Sequence, residues 1–292
     1  MNLKIQPLTN AIIGSFALTA ATAHAVTVLT DNFTDGNRTA SPAWYLSGAA
    51  PTSASVTSGA NSIAGSNSLF FDSSNTFQGL TANFTAAGTG GSGALAVGES
   101  YILTLDLRMV SASNVANGMR IGLGNSAGNP FTADGTPAAG SVAAQSHFGY
   151  YAGFGTGTTT SLIVNQDTGG GNNPGFTSGS DTSSLGSVAT GVALTNGNNR
   201  SILFEVERTS TTDALITASY FSTTGSTGTP AATFSFTDTT GAYFNFNQVT
   251  IMSGGVTQDF TFDNVVLTHV PEPSAALLGS LGVLALLRRR RA

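Results

Sequence analysis

Glu205 and Glu207, in the run Phe204-Glu-Val-Glu-Arg208, are the only closely spaced glutamates in the chain. On a strand they share a face, about 6.5–7 Å apart. Carboxylates near that spacing serve glycoside hydrolysis as acid and base or nucleophile. The same residues suit a solvated strand face beside Arg208, and no tryptophan lies next to them. A second group, Asp31, Asn32, Asp35 and Asn37, together with a distant Asp263, offers oxygen ligands for a structural Ca²⁺. Its spacing does not match an EF-hand loop, and an Asx-turn leaving a strand is the alternative. A third group is aromatic: Trp44, the only tryptophan, with Tyr45, and Tyr150 with Tyr151. Exposed, these rings could stack on sugar faces; buried, they would fill a core. His147 and His269 are the histidines of the body. Two histidines make a poor zinc set. The glycine runs at Gly122 and Gly153 are not followed by a helical pattern, which argues against a dinucleotide loop.

These residues must be held by strands. Short segments with period-two alternation recur, and no long segment has helical period. Twelve strands are predicted: Val26–Leu29, Ser68–Phe71, Leu80–Phe84, Tyr101–Val110, Met119–Leu123, His147–Phe154, Ser161–Val164, Ser201–Arg208, Ala214–Phe221, Ala232–Thr237, Tyr243–Ile251 and Asp259–Thr268. In the first long one, Tyr101, Leu103, Leu105 and Leu107 share a face that should meet the core. The intervening Gly/Ser/Thr/Asn stretches read as loops. Thr168–Gly186 is long for a connection without structure, which marks it as either a mobile or a functional loop. No 20–50-residue repeat indicates a solenoid or propeller.

About a dozen short strands in one body predict an all-β fold: an antiparallel two-sheet β-sandwich of jelly-roll type. The strand number, the loop style and a last strand ending beside a linker resemble concanavalin A-like lectin/glucanase sandwiches. That likeness implies that the first and last strands meet, bringing Asp31-Asn32 near Asp263-Asn264. Sandwich glycosidases of the laminarinase kind carry acids on one strand at E-x-D-type spacing. Glu205 and Glu207 depart from that pattern.

The body, Val26–Val270, carries fourteen carboxylates against five arginines, a net charge of −9 with His neutral. It has no basic stripe for phosphates, so nucleic acid is not an expected partner. The chain has no cysteine, and the body has no lysine. Thiolate chemistry, Schiff-base lysine and Walker-type phosphate binding are thereby excluded. An apolar fraction of 40% is too high for a disordered chain.

The termini read differently from the body. Residues 1–25 have Lys4, an apolar stretch and Ala23-His24-Ala25, a pattern for signal-peptide cleavage before Val26. At the other end Pro271-Glu272-Pro273 precedes an uncharged Ala/Leu run over 275–287 and then Arg288, Arg289, Arg290 and Arg291. The prolines separate this tail from the domain. The run would span roughly 20 Å as a helix, and flanking arginines and bilayer thinning allow insertion with the arginines cytoplasmic. This order resembles the PEP-CTERM sorting tail of exported bacterial proteins. The resemblance implies recognition by an exosortase-type membrane transpeptidase after passage through the secretion machinery. It also implies a Gram-negative host and delivery to the envelope or an extracellular polysaccharide matrix. The expected organisation is a signal peptide (1–25), a β-sandwich (26–269) and a sorting tail (270–292), anchored in the membrane until processed. The leading expectation is a non-enzymatic surface or matrix protein with no cofactor other than a structural Ca²⁺. A carbohydrate-binding module and a glycoside hydrolase using Glu205 and Glu207 are the alternatives.

Overall fold

A computed structural model describes residues 24–47, 53–63, 65–73, 77–85, 94–135, 146–170, 176, 181–226 and 228–272. Its strands are β1 (Val26–Asp31), β2 (Trp44–Ser47), β3 (Ser53–Thr57), β4 (Ser68–Asp72), β5 (Gly79–Asn83), β6 (Ser100–Ser111), β7 (Val115–Asn125) and β8 (Phe148–Thr156). They continue with β9 (Ser161–Asp167), β10 (Thr182–Ala189), β11 (Asn199–Arg208), β12 (Ala214–Phe221), β13 (Ala232–Asp238), β14 (Gln248–Ser253) and β15 (Asp259–Val270). No helix occurs among the described residues. Signal residue Ala23, the remainder of 1–22, Pro273, the apolar run and Arg288–Arg291 lie outside them.

Two antiparallel sheets form a sandwich. The eight-stranded sheet runs β13-β12-β11-β6-β15-β4-β3, with β1 also on β15. The seven-stranded sheet runs β10-β9-β8-β7-β14-β5-β2. The alternation in β6 holds: Tyr101, Leu103, Leu105 and Leu107 are fully buried in the shared core, facing Ile202, Phe204 and Val206 of β11 on one side of the ladder. Burying each such side chain contributes about 1.5–3 kcal/mol. The expected meeting of the first and last strands is present, with Val26 opposite His269 and Asp31 opposite Val265. β15 ends where Pro271 can no longer donate to a ladder, and the side chain of Glu272 lies against Gly98.

Three strands go beyond the sequence expectation. β2 and β3 are short, edge-located and Ser-rich. β10 arises from the end of the segment predicted as a loop. Its sequence, Thr-Ser-Ser-Leu-Gly-Ser-Val-Ala, has little apolar alternation because it is an exposed edge strand. It bulges at Leu185, and the missing Cβ of Gly186 leaves room for the rings of Phe234 and Phe236. The strand predicted over Tyr243–Ile251 begins later, at Gln248.

Candidate functional site

In the seven-stranded sheet one face is given to the core. Met119, Ile121 and Leu123 of β7, Tyr150, Ala152 and Phe154 of β8, and Val249 and Ile251 of β14 point inward. Period-two alternation then puts Arg120, Tyr151, Asn165, Asp167, Thr250 and Met252 on the outer face. The register aligns them in rows. One row reads Asn165, Tyr151, Gly122, Thr250, Thr81, Tyr45 across β9, β8, β7, β14, β5 and β2. The next reads Ile163, Gly153, Arg120, Met252, Gly79, Ser47. Glycine beside the large side chains gives them space. At Gly153 an added Cβ would fall 1.7 Å from Asn117 Oδ1, so the amide of Asn117 occupies the volume that any other residue would need.

Arg120 is the centre of this face and only 3% exposed. Its guanidinium carbon lies 4.9 Å from the ring centre of Phe77 and 5.3 Å from that of Tyr151. Its Nη1 donates to the carbonyl of Phe176 at 2.5 Å. Tyr151 stacks on Phe176 with ring centres 5.0 Å apart. Met252 completes this small second core. Burial lowers the pKa of Arg120, against the fields of Tyr151, Asp167 and Asp181. Burial likewise pushes the Asp167 carboxyl up to about 8, with Asp181 adding repulsion. The hydrogen bond from Gly169 N and the charge of Arg120 act against that rise.

At the rim stand two half-buried non-glycine residues in the left-handed region, Phe77 (φ +54°) and Asn117 (φ +61°). Asparagine tolerates this conformation, whereas for phenylalanine it is an outlier that surrounding structure must hold. The hold is visible: Phe77 N donates to Gly254 O at 3.0 Å, and Gly254 N donates to Gly118 O at 2.7 Å. These bonds tie the Phe77 turn to the β7 bulge that carries Asn117. Below, the Tyr151 hydroxyl shares hydrogen bonds with Asn117 and Thr182, while burial raises its pKa.

Among the described residues, most buried side-chain polar atoms that find no protein partner belong to this face and its margins. They are Ser47 Oγ, Asn83 Oδ1, Asn117 Oδ1, Arg120 Nε, Ser161 Oγ, Asn165 Nδ2, Asp167 Oδ2, Asp181 Oδ1, Gln248 Oε1 and Gln258 Oε1. Each such atom costs about 1–3 kcal/mol if left unsatisfied. Being buried, these atoms form a desolvated polar layer beneath the surface of the face.

The other sequence candidates are placed elsewhere. Trp44 is fully buried between Phe33 and Phe262, its Nε1 donating to Asp31 Oδ2 at 3.0 Å. Tyr150 is fully buried in the core and donates to Asp238 Oδ2 at 2.6 Å. Neither ring reaches solvent, because both fill the shared core. Tyr151 is on the outer face but covered by Phe176, and Tyr45 is half-buried at the end of its row. Glu205 and Glu207 share the outer face of the other sheet, opposite Ile102 and Ser100. Burial, and then Glu207, raise the pKa of Glu205 against a hydrogen bond with Ser100. Asp31 and Asp263 are neighbours, as expected, but their oxygens are engaged. Asp31 accepts from Phe33 N and Trp44, and Asp263 accepts from Ser66, Ser68 and Asn264 N. Asp35 caps its own turn through Asn37 N. Among the described residues no group of three or more His, Asp or Glu side chains is arranged to hold a metal ion. His147 is tied by Asn129 O and Gln248, and burial lowers its pKa.

Phe77, Asn117, Arg120, Asp167, Asp181 and Gln258 were not among the residues expected to form a site. One signal was present for Arg120: an arginine inside Met119-Arg-Ile-Gly-Leu-Gly124, alternating with apolar core positions in a chain poor in positive charge.

No protein-family model matches the chain, and no curated protein does. Among solved structures, peanut lectin in complex with a nine-residue peptide is similar over 85% of this chain and 98% of its own, at 11% identity and TM-score 0.45. A carbohydrate esterase from the Shiga toxin-encoding bacteriophage phi24B is similar over 85% and 100%, at 15% identity and TM-score 0.47. The exoplasmic/lumenal domain of VIP36, bound to Ca²⁺ and Man3GlcNAc, is similar over 84% and 89%, at 8% identity and TM-score 0.46. These likenesses assign no role to any residue here.

Proposed function

We propose that the chain is an exported, non-catalytic glycan-binding protein, and that it binds through the outer face of the seven-stranded sheet. One observation carries the binding site. Phe77 and Asn117 are held in costly backbone conformations at the rim of a face where Arg120 is clamped between two rings and unpartnered polar atoms gather. In this reading the Phe77 ring stacks on a sugar face, and the half-buried rim around it takes the sugar's edge. Polysaccharide is the partner outside the cell. The leader and the Pro-Glu-Pro tail supply the address, with an exosortase-type transpeptidase as the processing partner and the tail as a transient anchor. No reaction is assigned to Glu205 and Glu207.

Affinity electrophoresis of the full chain in gels containing polysaccharides tests the binding reading. At least one glycan is expected to retard the wild type, and Phe77→Ala is expected to abolish that retardation, with a modest fall in thermal stability from the lost contact with Arg120. Retardation of Phe77→Ala equal to wild type would move the site elsewhere, and no retardation by any glycan would end the reading. For sorting, loss of the tail's mass from protein recovered from its native host is expected.

A further inference from the structure

The free edges of the two sheets are protected unequally. An unpaired strand edge invites another strand, and short length, bulges, charge or proline prevent it. β2 and β3 are short, at four and five residues. β1 and β10 are interrupted by bulges. β13, the outer strand of the eight-stranded sheet, has neither device: its seven residues pair with β12 in unbroken register. It contains no proline and no basic residue. Its one acid, Asp238, is buried and already accepts from Tyr150, Gln166 and Thr240 N. The centre of the strand, Thr233-Phe-Ser-Phe-Thr237, reads the same in both directions. Thr233, Ser235 and Thr237 are exposed, and the hydroxyls of Ser235 and Thr233 lie 2.9 Å from those of Thr217 and Ser219 on β12. Phe234 and Phe236 turn to the inner side and stay half-buried beside Gly186 of β10.

A sequence that reads alike from both ends suits an antiparallel two-fold, in which the same strand of two copies meets itself. We infer that β13 pairs with β13 of a second copy of this chain, with Ser235 on the two-fold axis. Thr233 then faces Thr237 of the second copy, and Phe234 faces its Phe236, so hydroxyl meets hydroxyl and ring meets ring. No like charges are brought together at these positions, and β10, alongside, is uncharged. The two eight-stranded sheets become one continuous sheet, and the half-buried rings are covered. Such a pair carries two Phe77 faces on one body, which makes glycan attachment bivalent where that reading holds.

Disulfide trapping of the full chain tests this, because the chain has no cysteine of its own. Ser235→Cys, at an exposed position, is expected to give a covalent dimer under mild oxidation. Thr217→Cys, one strand further in, is expected to give none. In sedimentation velocity over a concentration series the wild type should form a dimer. Ser235→Lys should weaken that dimer about tenfold or more by setting like charges opposite one another. Mixing Ser235→Lys with Ser235→Asp should restore it as a mixed pair. Circular dichroism checks that each variant is folded. A wild type that stays monomeric at every concentration would overturn the inference. So would a dimer that survives Ser235→Lys while Ser235→Cys fails to cross-link, since the contact then lies at another edge. Both readouts need no glycan, so they stand apart from the test of glycan binding.

Discussion

Each sheet carries a pair of aspartates buried on its outer side, and the two pairs are built in opposite ways. Asp106 and Asp263 stand opposite one another on β6 and β15. Asp106 accepts from Ser201 Oγ, Gly225 N and Asn264 Nδ2, and Asp263 accepts from Ser66, Ser68 and Asn264 N. Asp167 and Asp181 flank the β9–β10 connection, and Asp167 Oδ2 and Asp181 Oδ1 accept from nothing in the protein. The first pair knits a sheet to its loops. The second holds unused acceptor capacity beside Arg120 and Tyr151. Buried acids thus mark structure where hydroxyls and backbone N–H groups surround them, and mark a site where they do not.

The largest expected effect falls on the satisfied pair. Asp106→Ala strands three donors and should destabilise the fold by about 3 kcal/mol or more in chemical denaturation. Asp167→Asn should cost under about 1 kcal/mol, since no partner of the free oxygen is lost. Equal losses would dissolve the contrast. Next in size, Arg120→Ala removes contacts with two rings and a carbonyl and should cost about 2 kcal/mol, read from the same denaturation midpoint.

The pH dependence sharpens the comparison further. Burial first, then Asp181, raises the Asp167 carboxyl to about 8 in the folded state. The native state therefore holds a proton that the unfolded chain has released above its ordinary carboxylate range. Stability from this group is complete at acid pH, falls as pH rises toward about 8, and is flat beyond. The slope contributed approaches about 1.4 kcal/mol per pH unit. Burial also raises Asp31, Asp259, Asp263 and Glu205, so the wild-type curve contains their part. The difference between wild type and Asp167→Asn isolates the one group. Parallel curves for the two proteins would contradict the assignment. The smallest effect on stability, and a clear one on binding, is expected from Gly153→Ala. Its Cβ would displace the half-buried Asn117 amide, so glycan retardation should weaken more than the melting temperature falls.

The sandwich was readable because β6 and β11 alternate strictly and β15 alternates on either side of its bulge at Asn264, and a one-residue slip would turn Leu103, Phe204 or Leu267 out of the core. The site was not readable in the same way. Arg120, Asp167 and Asp181 are far apart in sequence, and only the order β9-β8-β7 brings them to one face. The left-handed turn at Phe77 contradicts what a phenylalanine ordinarily signals, because long-range bonds from Gly254 impose it. The aromatics that stood out, Trp44 and Tyr150, did so because large rings are what a core requires. The loop Thr168–Gly186 was flagged by its length, and it does contain Phe176 and Asp181.

Hydrogen–deuterium exchange of the full chain with and without a bound glycan tests the central claim most directly, because it compares the two outer faces at once. The account predicts new protection around Phe77, over Asn117–Arg120 and over Gly254–Gln258. Protection centred instead on Glu205–Glu207 and Leu215–Ser219 would contradict it.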